Sequence, residues 1–140
     1  MTNINDRNLR VIEEFRSNGG KVGGSFAGAL MLLLSTRGAK TGQLRTNPLM
    51  YLPDGDQWSV FASKRGAPTN PDWFHNLVAN PDVTLEIATE AFDGYAEVVS
   101  GDKRDSLYAR QAELYPQFGE YQRRTTRKIP VITLTRKRTN

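Results

Sequence analysis

The strongest constraint on the fold is a rhythm of short strand-like runs, each cut off by turn chemistry within a few residues. Trp58, Val60 and Ala62 share one face of such a run, Val83, Leu85 and Ile87 that of another, and Phe92, Gly94, Ala96 and Val98 that of a third. Alternation with period two marks strands with one buried face. Two further strands are expected at Ala29–Thr36 and Leu44–Leu52, joined by the turn Arg37–Gly42, and a last one at Ile129–Leu134. Pro48 has no amide donor, so its strand belongs at an edge, at a bulge or against a ligand.

Helices fill the gaps. Leu9, Ile12 and Phe15 give one face to a helix over 5–17, ended by Asn18-Gly19-Gly20. Asn70 is read as the cap of a helix running from Pro71 to Ala79. Asp102 is read as the cap of another over Lys103–Leu114, with Tyr108, Ala112 and Tyr115 along one stripe. Six or so mostly antiparallel strands with short flanking helices predict an α+β domain whose sheet curls into a small barrel. The 140 residues are read as one domain: a helical segment over 1–19, the barrel over 20–135 and a basic tail over 136–140.

Composition narrows the chemistry. The absence of cysteine excludes disulfides, thiolate metal sites and a catalytic thiol, and His75 alone cannot build a multi-histidine centre, so no metal is expected. Reactivity must come from oxygen groups, cations, the backbone or a borrowed cofactor. The longest apolar run, around Leu30–Leu34, falls far short of a membrane span, and the opening residues lack a signal-peptide pattern; the expected location is the cytoplasm. All 15 acids precede residue 123, whereas residues 123–140 carry seven of the 19 cations. That tail suits an acidic ligand, a nucleic acid or an anionic lipid, or simply solvates a terminal strand. With no aromatic after Tyr121 to interleave with the charge, nucleic acid is not expected.

Two loops can hold an anion. Lys40 and Arg45 flank the Gly38/Gly42 turn, and Ser63-Lys64-Arg65-Gly66 leads from a strand end toward a helix start. Trp73 and Asn76 lie on that helix, where burial is the ordinary fate of an aromatic. Asp54 and Asp56 read as turn residues, not as a carboxylate dyad.

Taken in order, Thr36–Gly42, Arg45 with Asn47-Pro48-Leu49, Ala62-Ser63-Lys64 with Gly66-Ala67, Asn70–Leu77 with Ala79-Asn80-Pro81, and the tail Tyr121-Gln122, Thr125, Arg127, Ile129-Pro130-Val131 resemble the deazaflavin (coenzyme F420)-dependent nitroreductase family. The resemblance spans about residues 18–135. It implies a split β-barrel related to flavin-binding barrels, with reduced F420 passing hydride to a quinone or nitroaromatic. It also implies that Ala39, Lys40, Thr41, Arg45, Ser63 and Lys64 contact the coenzyme's anionic part. Asn47, Pro48, Leu49 and Met50 would run along its ring, and Trp73 and Asn76 would close the site. Tyr115, Phe118 and Tyr121 match positions facing the acceptor. Phe118 departs from the family's tyrosines, which puts nitroimidazole reduction in doubt and leaves quinone reduction intact. The rival readings are a coenzyme-storage module without turnover and a basic nucleic-acid or membrane-surface domain. Peripheral membrane contact and a homodimer are left open.

Overall fold

The computed structural model describes residues 4–137. After helix α1 (Ile4–Ser17) come strands β1 (Met31–Arg37), β2 (Leu44–Met50), β3 (Leu52–Asp54) and β4 (Gln57–Phe61). Helix α2 (Asp72–Ala79), strands β5 (Asp82–Ile87) and β6 (Glu90–Val99), helices α3 (Gly101–Leu114) and α4 (Gln117–Arg124), and strand β7 (Val131–Arg136) complete the order.

All seven strands join one antiparallel sheet in the order β2-β1-β5-β6-β7-β4-β3. β2 and β3 sit at opposite ends of that order, yet Tyr51 alone separates them. One residue reaches only ~3.5 Å, so the sheet must roll until its two edges meet. The run expected at Leu44–Leu52 is thus one extended segment that pairs first with β1 and then, past Tyr51, with β4. Its pleat continues through the change: Leu49 and Tyr51 pack on the barrel interior, while Met50 and Leu52 face the helices.

The interior holds Leu32, Leu34, Leu85, Ile132 and Leu134, all solvent-free, beneath Trp73 and Leu77 of α2. Burying each leucine stabilises the fold by about 2 kcal/mol. Outside the sheet, α1 lays Ile12 and Phe15 on Met31 and Leu33, while α3 and α4 pack Leu107, Tyr108 and Phe118 against Phe61, Val99 and Val131. Met50 touches both outer clusters and so marks the seam between them.

Several local expectations yield to tertiary partners. Asn70 does not cap α2, whose N-cap position is Pro71, because its carboxamide accepts a bond from Arg127. Ser100 occupies the N-cap position of α3, leaving Asp102 in its first turn. The buried stripe of α3 is Arg104, Leu107, Tyr108 and Gln111, and Ala112 and Tyr115 are only half-buried. Leu9 is exposed, and so is Val98, at the end of the β6 alternation. Of the basic tail, Arg136 completes β7 and grips Glu90 through two bonds, and Lys137 pairs with Asp82; residues 138–140 lie outside the described residues.

Candidate active site in the split of the barrel

The barrel is ladder-bonded everywhere except between β2 and the chain leaving β4. The Tyr51 amide donates to the Leu30 carbonyl, which makes the even-numbered residues of β1 the hydrogen-bonded partners of β2. Thr46, Pro48 and Met50 therefore turn their backbone groups toward the open edge. Pro48 sits where β1 asks for no donor, and this reconciles a proline with a paired strand. The β3–β4 ladder ends at Leu52 opposite Ser59. The same register, carried on, sets Met50 abreast of Phe61 and Pro48 abreast of Ser63, where no ladder forms. The split lies between these two stretches.

One wall continues into the β1–β2 turn. Asn76 of α2, 8% exposed, accepts from the Ala39 amide at 2.9 Å and donates to Thr36 Oγ1 at 3.2 Å. Both ends of its amide are thereby spent on fastening the turn to α2. Lys40, Thr41 and Arg45 are exposed beside that anchor, and Arg45 donates to Gln43. Asn47 and Leu49 are half-buried on the interior face. Trp73 is buried in the barrel core, one turn before Asn76.

The opposite wall is strained. Ser63 has right-handed helical backbone (φ −74°, ψ −40°), and Lys64 and Arg65 follow with φ of 45° and 55°. Two consecutive non-glycine residues with left-handed φ cost about 1–3 kcal/mol each, and such strain concentrates at functional sites. A right-handed residue followed by a left-handed one turns successive amides toward a common point, a concavity suited to anions. The turn's own hydrogen bonds use the amides of Gly66 and Ala67 and leave those of Lys64 and Arg65. Lys64 Nζ donates to Thr69 Oγ1 at 3.1 Å, which keeps its charge close to the start of α2.

Arg127 holds this wall from behind. Its guanidinium donates to the carbonyls of Ala62, Ser63 and Ala67 and to Asn70 Oδ1, at 3.0, 2.7, 2.9 and 2.7 Å. Burial draws its pKa below the usual arginine value, with Tyr108 opposing, and it stays charged. The sequence shows Arg127 only as one cation of a run. Helix α4 abuts the same turn: a Cβ on Gly66 would stand 2.6 Å from the Tyr121 carbonyl oxygen. Phe118, 5% exposed, lies in the outer core against Phe61, with Tyr115 and Tyr121 half-buried on either side of its ring. Tyr108 Oη donates to the Phe118 carbonyl at 2.6 Å and ties α3 to α4.

Among the described residues, the cations beside the split are free of carboxylate partners. Seven ion pairs occur among the described residues, and none includes Lys40, Arg45, Lys64 or Arg65. His75 is exposed. Two shallow hollows lie elsewhere, one of about 160 Å³ between Phe15 and the β5–β6 turn and one of about 200 Å³ beside Phe74, Val98 and Pro130. Among the described residues, no helix is long and apolar enough to cross a membrane.

A rolled antiparallel sheet with one unladdered seam, flanked by cations outside any ion pair and by unpaired edge backbone, defines the class: a split β-barrel. Comparison with known proteins gives the family. The model of the F420H(2)-dependent quinone reductase family matches residues 8–136, and the chain belongs to that family. It is 42% identical over 129 residues to an F420H(2)-dependent quinone reductase of Mycobacterium tuberculosis, covering 88% of this chain and 85% of that protein. Among solved structures, an F420-H2 dependent reductase is 35% identical with a TM-score of 0.68, covering 74% of this chain and 92% of its own. A chain described as a domain-swapped dimer is 31% identical with a TM-score of 0.71, covering 94% and 96%.

Proposed function

We propose that the protein is an F420-dependent oxidoreductase that reduces quinones, and that it holds the coenzyme in the split with the anionic end toward α2. The observation that carries this placement is the meeting, around one short helix, of unpaired cations from two loops: Lys40 beside the Ala39–Asn76 anchor, and Lys64 beside Thr69.

The residues present fit such a polyanion. Lys40, Arg45 and Lys64 supply charge without having to break an existing ion pair. Arg45 suits a two-pronged grip and the lysines act as point charges. The Ser63–Arg65 concavity, the Ser63 hydroxyl and the turn around Ala39 and Thr41 add neutral donors. Along the edge of β2, the backbone groups of Thr46, Pro48 and Met50 left unpaired by β1 match the polar rim of a flat heterocycle, and Asn47 and Leu49 support that strand from inside. Trp73 and Asn76 act behind the site, one by filling the core and the other by fixing the turn.

When bound, the reduced deazaflavin supplies a hydride to the acceptor. The chain then has to align the partners and exclude water, and it needs no nucleophile. Tyr121 and Tyr115 form the acceptor wall, with Tyr121 Oη the group that hands a proton to the reduced oxygen. Phe118 steadies both rings and contributes no hydroxyl. This favours quinones over nitroaromatics that call for a third donor. Self-association of this chain is part of the same reading, supported by the relative whose structure is a domain-swapped dimer.

The test is to mix the purified protein with reduced F420 and menadione and follow the deazaflavin absorbance. Acceptor-dependent oxidation is expected, with flavin mononucleotide and nicotinamide cofactors inactive. Tight F420 binding without turnover would replace the enzyme with a storage module. Absence of F420 binding would sink the reading altogether.

A further inference from the structure

The geometry points to Arg127 as a positioning residue that aims the anion-binding amides of the split, an inference that rests on the F420 reading above. Four oxygens from one loop converge on its guanidinium: the carbonyls of Ala62, Ser63 and Ala67, and Asn70 Oδ1. In a planar trans peptide, the carbonyl and the next amide point in opposite directions. With the Ala62 and Ser63 carbonyls drawn toward Arg127, the amides of Ser63 and Lys64 face away from it. The left-handed backbone at Lys64 and Arg65 turns the next amide toward the same side. All four acceptors are uncharged, so no carboxylate cancels the guanidinium within its own bonding shell. Arg127 thus sets the direction of the amide donors and adds a fixed positive charge behind them.

Lysine cannot replace it. A single ammonium has three donors and no planar fork, so it cannot meet four oxygens spread along a loop.

The experiment compares two ligands, F420 and its deazaflavin core without the phosphate, on wild type, Arg127→Met and Arg127→Lys, with thermal melting to confirm folding. Arg127→Met is expected to bind F420 roughly tenfold or more weakly while holding the phosphate-free core as wild type does, and Arg127→Lys to recover only part of the loss. A purely structural role would weaken both ligands alike, and that result would overturn the inference; so would F420 affinity within about twofold of wild type. Should Arg127→Met fail to fold, amide resonances of Ser63 and Lys64 in the wild-type protein decide: shifts on titration with F420 but not with the core support it, and unmoved resonances refute it. If wild type ignores F420 yet inorganic phosphate shifts those two amides in the wild type and markedly less in Arg127→Lys, the coenzyme reading falls and the role of Arg127 in aiming the amides stands; equal shifts in both overturn that role.

Discussion

Replacing Gly66 with alanine tests whether α4 and the strained turn form one rigid wall. Gly66 has φ of 81°, which costs an L residue about 1–2 kcal/mol by itself. Its new Cβ would also stand 2.6 Å from the Tyr121 carbonyl oxygen, 2.9 Å from Arg124 Cβ and 3.1 Å from Tyr121 Cα. Two of these neighbours are backbone, which no rotamer change can move, so overpacking adds about 1–3 kcal/mol. Gly55 is the control: its φ is 61°, with nothing within 4 Å of its added Cβ. Gly55→Ala therefore reports left-handed strain alone. At about 3–5 °C per kcal/mol for a chain of this size, Gly66→Ala should melt roughly 3–15 °C below Gly55→Ala. Displaced Tyr121 should also lower kcat/KM for menadione, with Gly55→Ala unaffected. Equal melting temperatures for the two variants would refute the claim that α4 bears directly on the turn.

Three other perturbations probe separate parts of the argument. Lys40→Ala and Arg45→Ala should each weaken F420 binding by about 1.5–3 kcal/mol, measured by titration at low salt, and unchanged affinity in both would remove the β1–β2 turn from the site. Gln111 is fully buried with neither amide atom bonded, and the unpartnered hydroxyls of Ser59 and Thr133 belong to the same helix–sheet layer; Gln111→Met should raise the urea midpoint by about 1 kcal/mol equivalent. Burial, partly offset by Arg104 and Arg127, pushes Tyr108 from the ordinary 10.0 up to about 12. The folded chain therefore holds that proton more tightly than the unfolded one. Tyr108's contribution to stability should be full below pH 10 and fall as the pH rises toward 12, an alkaline loss that urea midpoints would show and Tyr108→Phe should reduce, leaving the smaller part due to half-buried Tyr51.

The sheet was legible because alternation is local. Val83 and Leu85 face inward as their spacing predicts, and the turn residues delimit β5 and β6 to within two residues. The break at Tyr51 was not legible, because the pleat runs through it and only the choice of partner changes. Helix α4 carries two apolar side chains around a glycine, too few for a periodic stripe, although Pro116 before it and Arg123 and Arg124 in its last turn were usable signals. Lys40, Arg45 and Lys64 could be singled out as candidates because loops around glycines announce themselves. Arg127 could not be found in that way, since its acceptors lie 57 to 65 residues upstream and only the folded chain brings them to it. Asn70 has the chemistry of a helix cap, and a stronger charged donor claimed it instead.

The single-residue passage at Tyr51 makes the molecule intolerant of odd length changes. Adding one amino acid there would exchange inside for outside along β3, burying Asp54 in the hydrocarbon interior and stripping Leu52 from its helical cover, whereas adding two would restore the original sidedness and merely widen the opening. Natural variation in slot width among kindred chains should therefore come in steps of two residues at this junction.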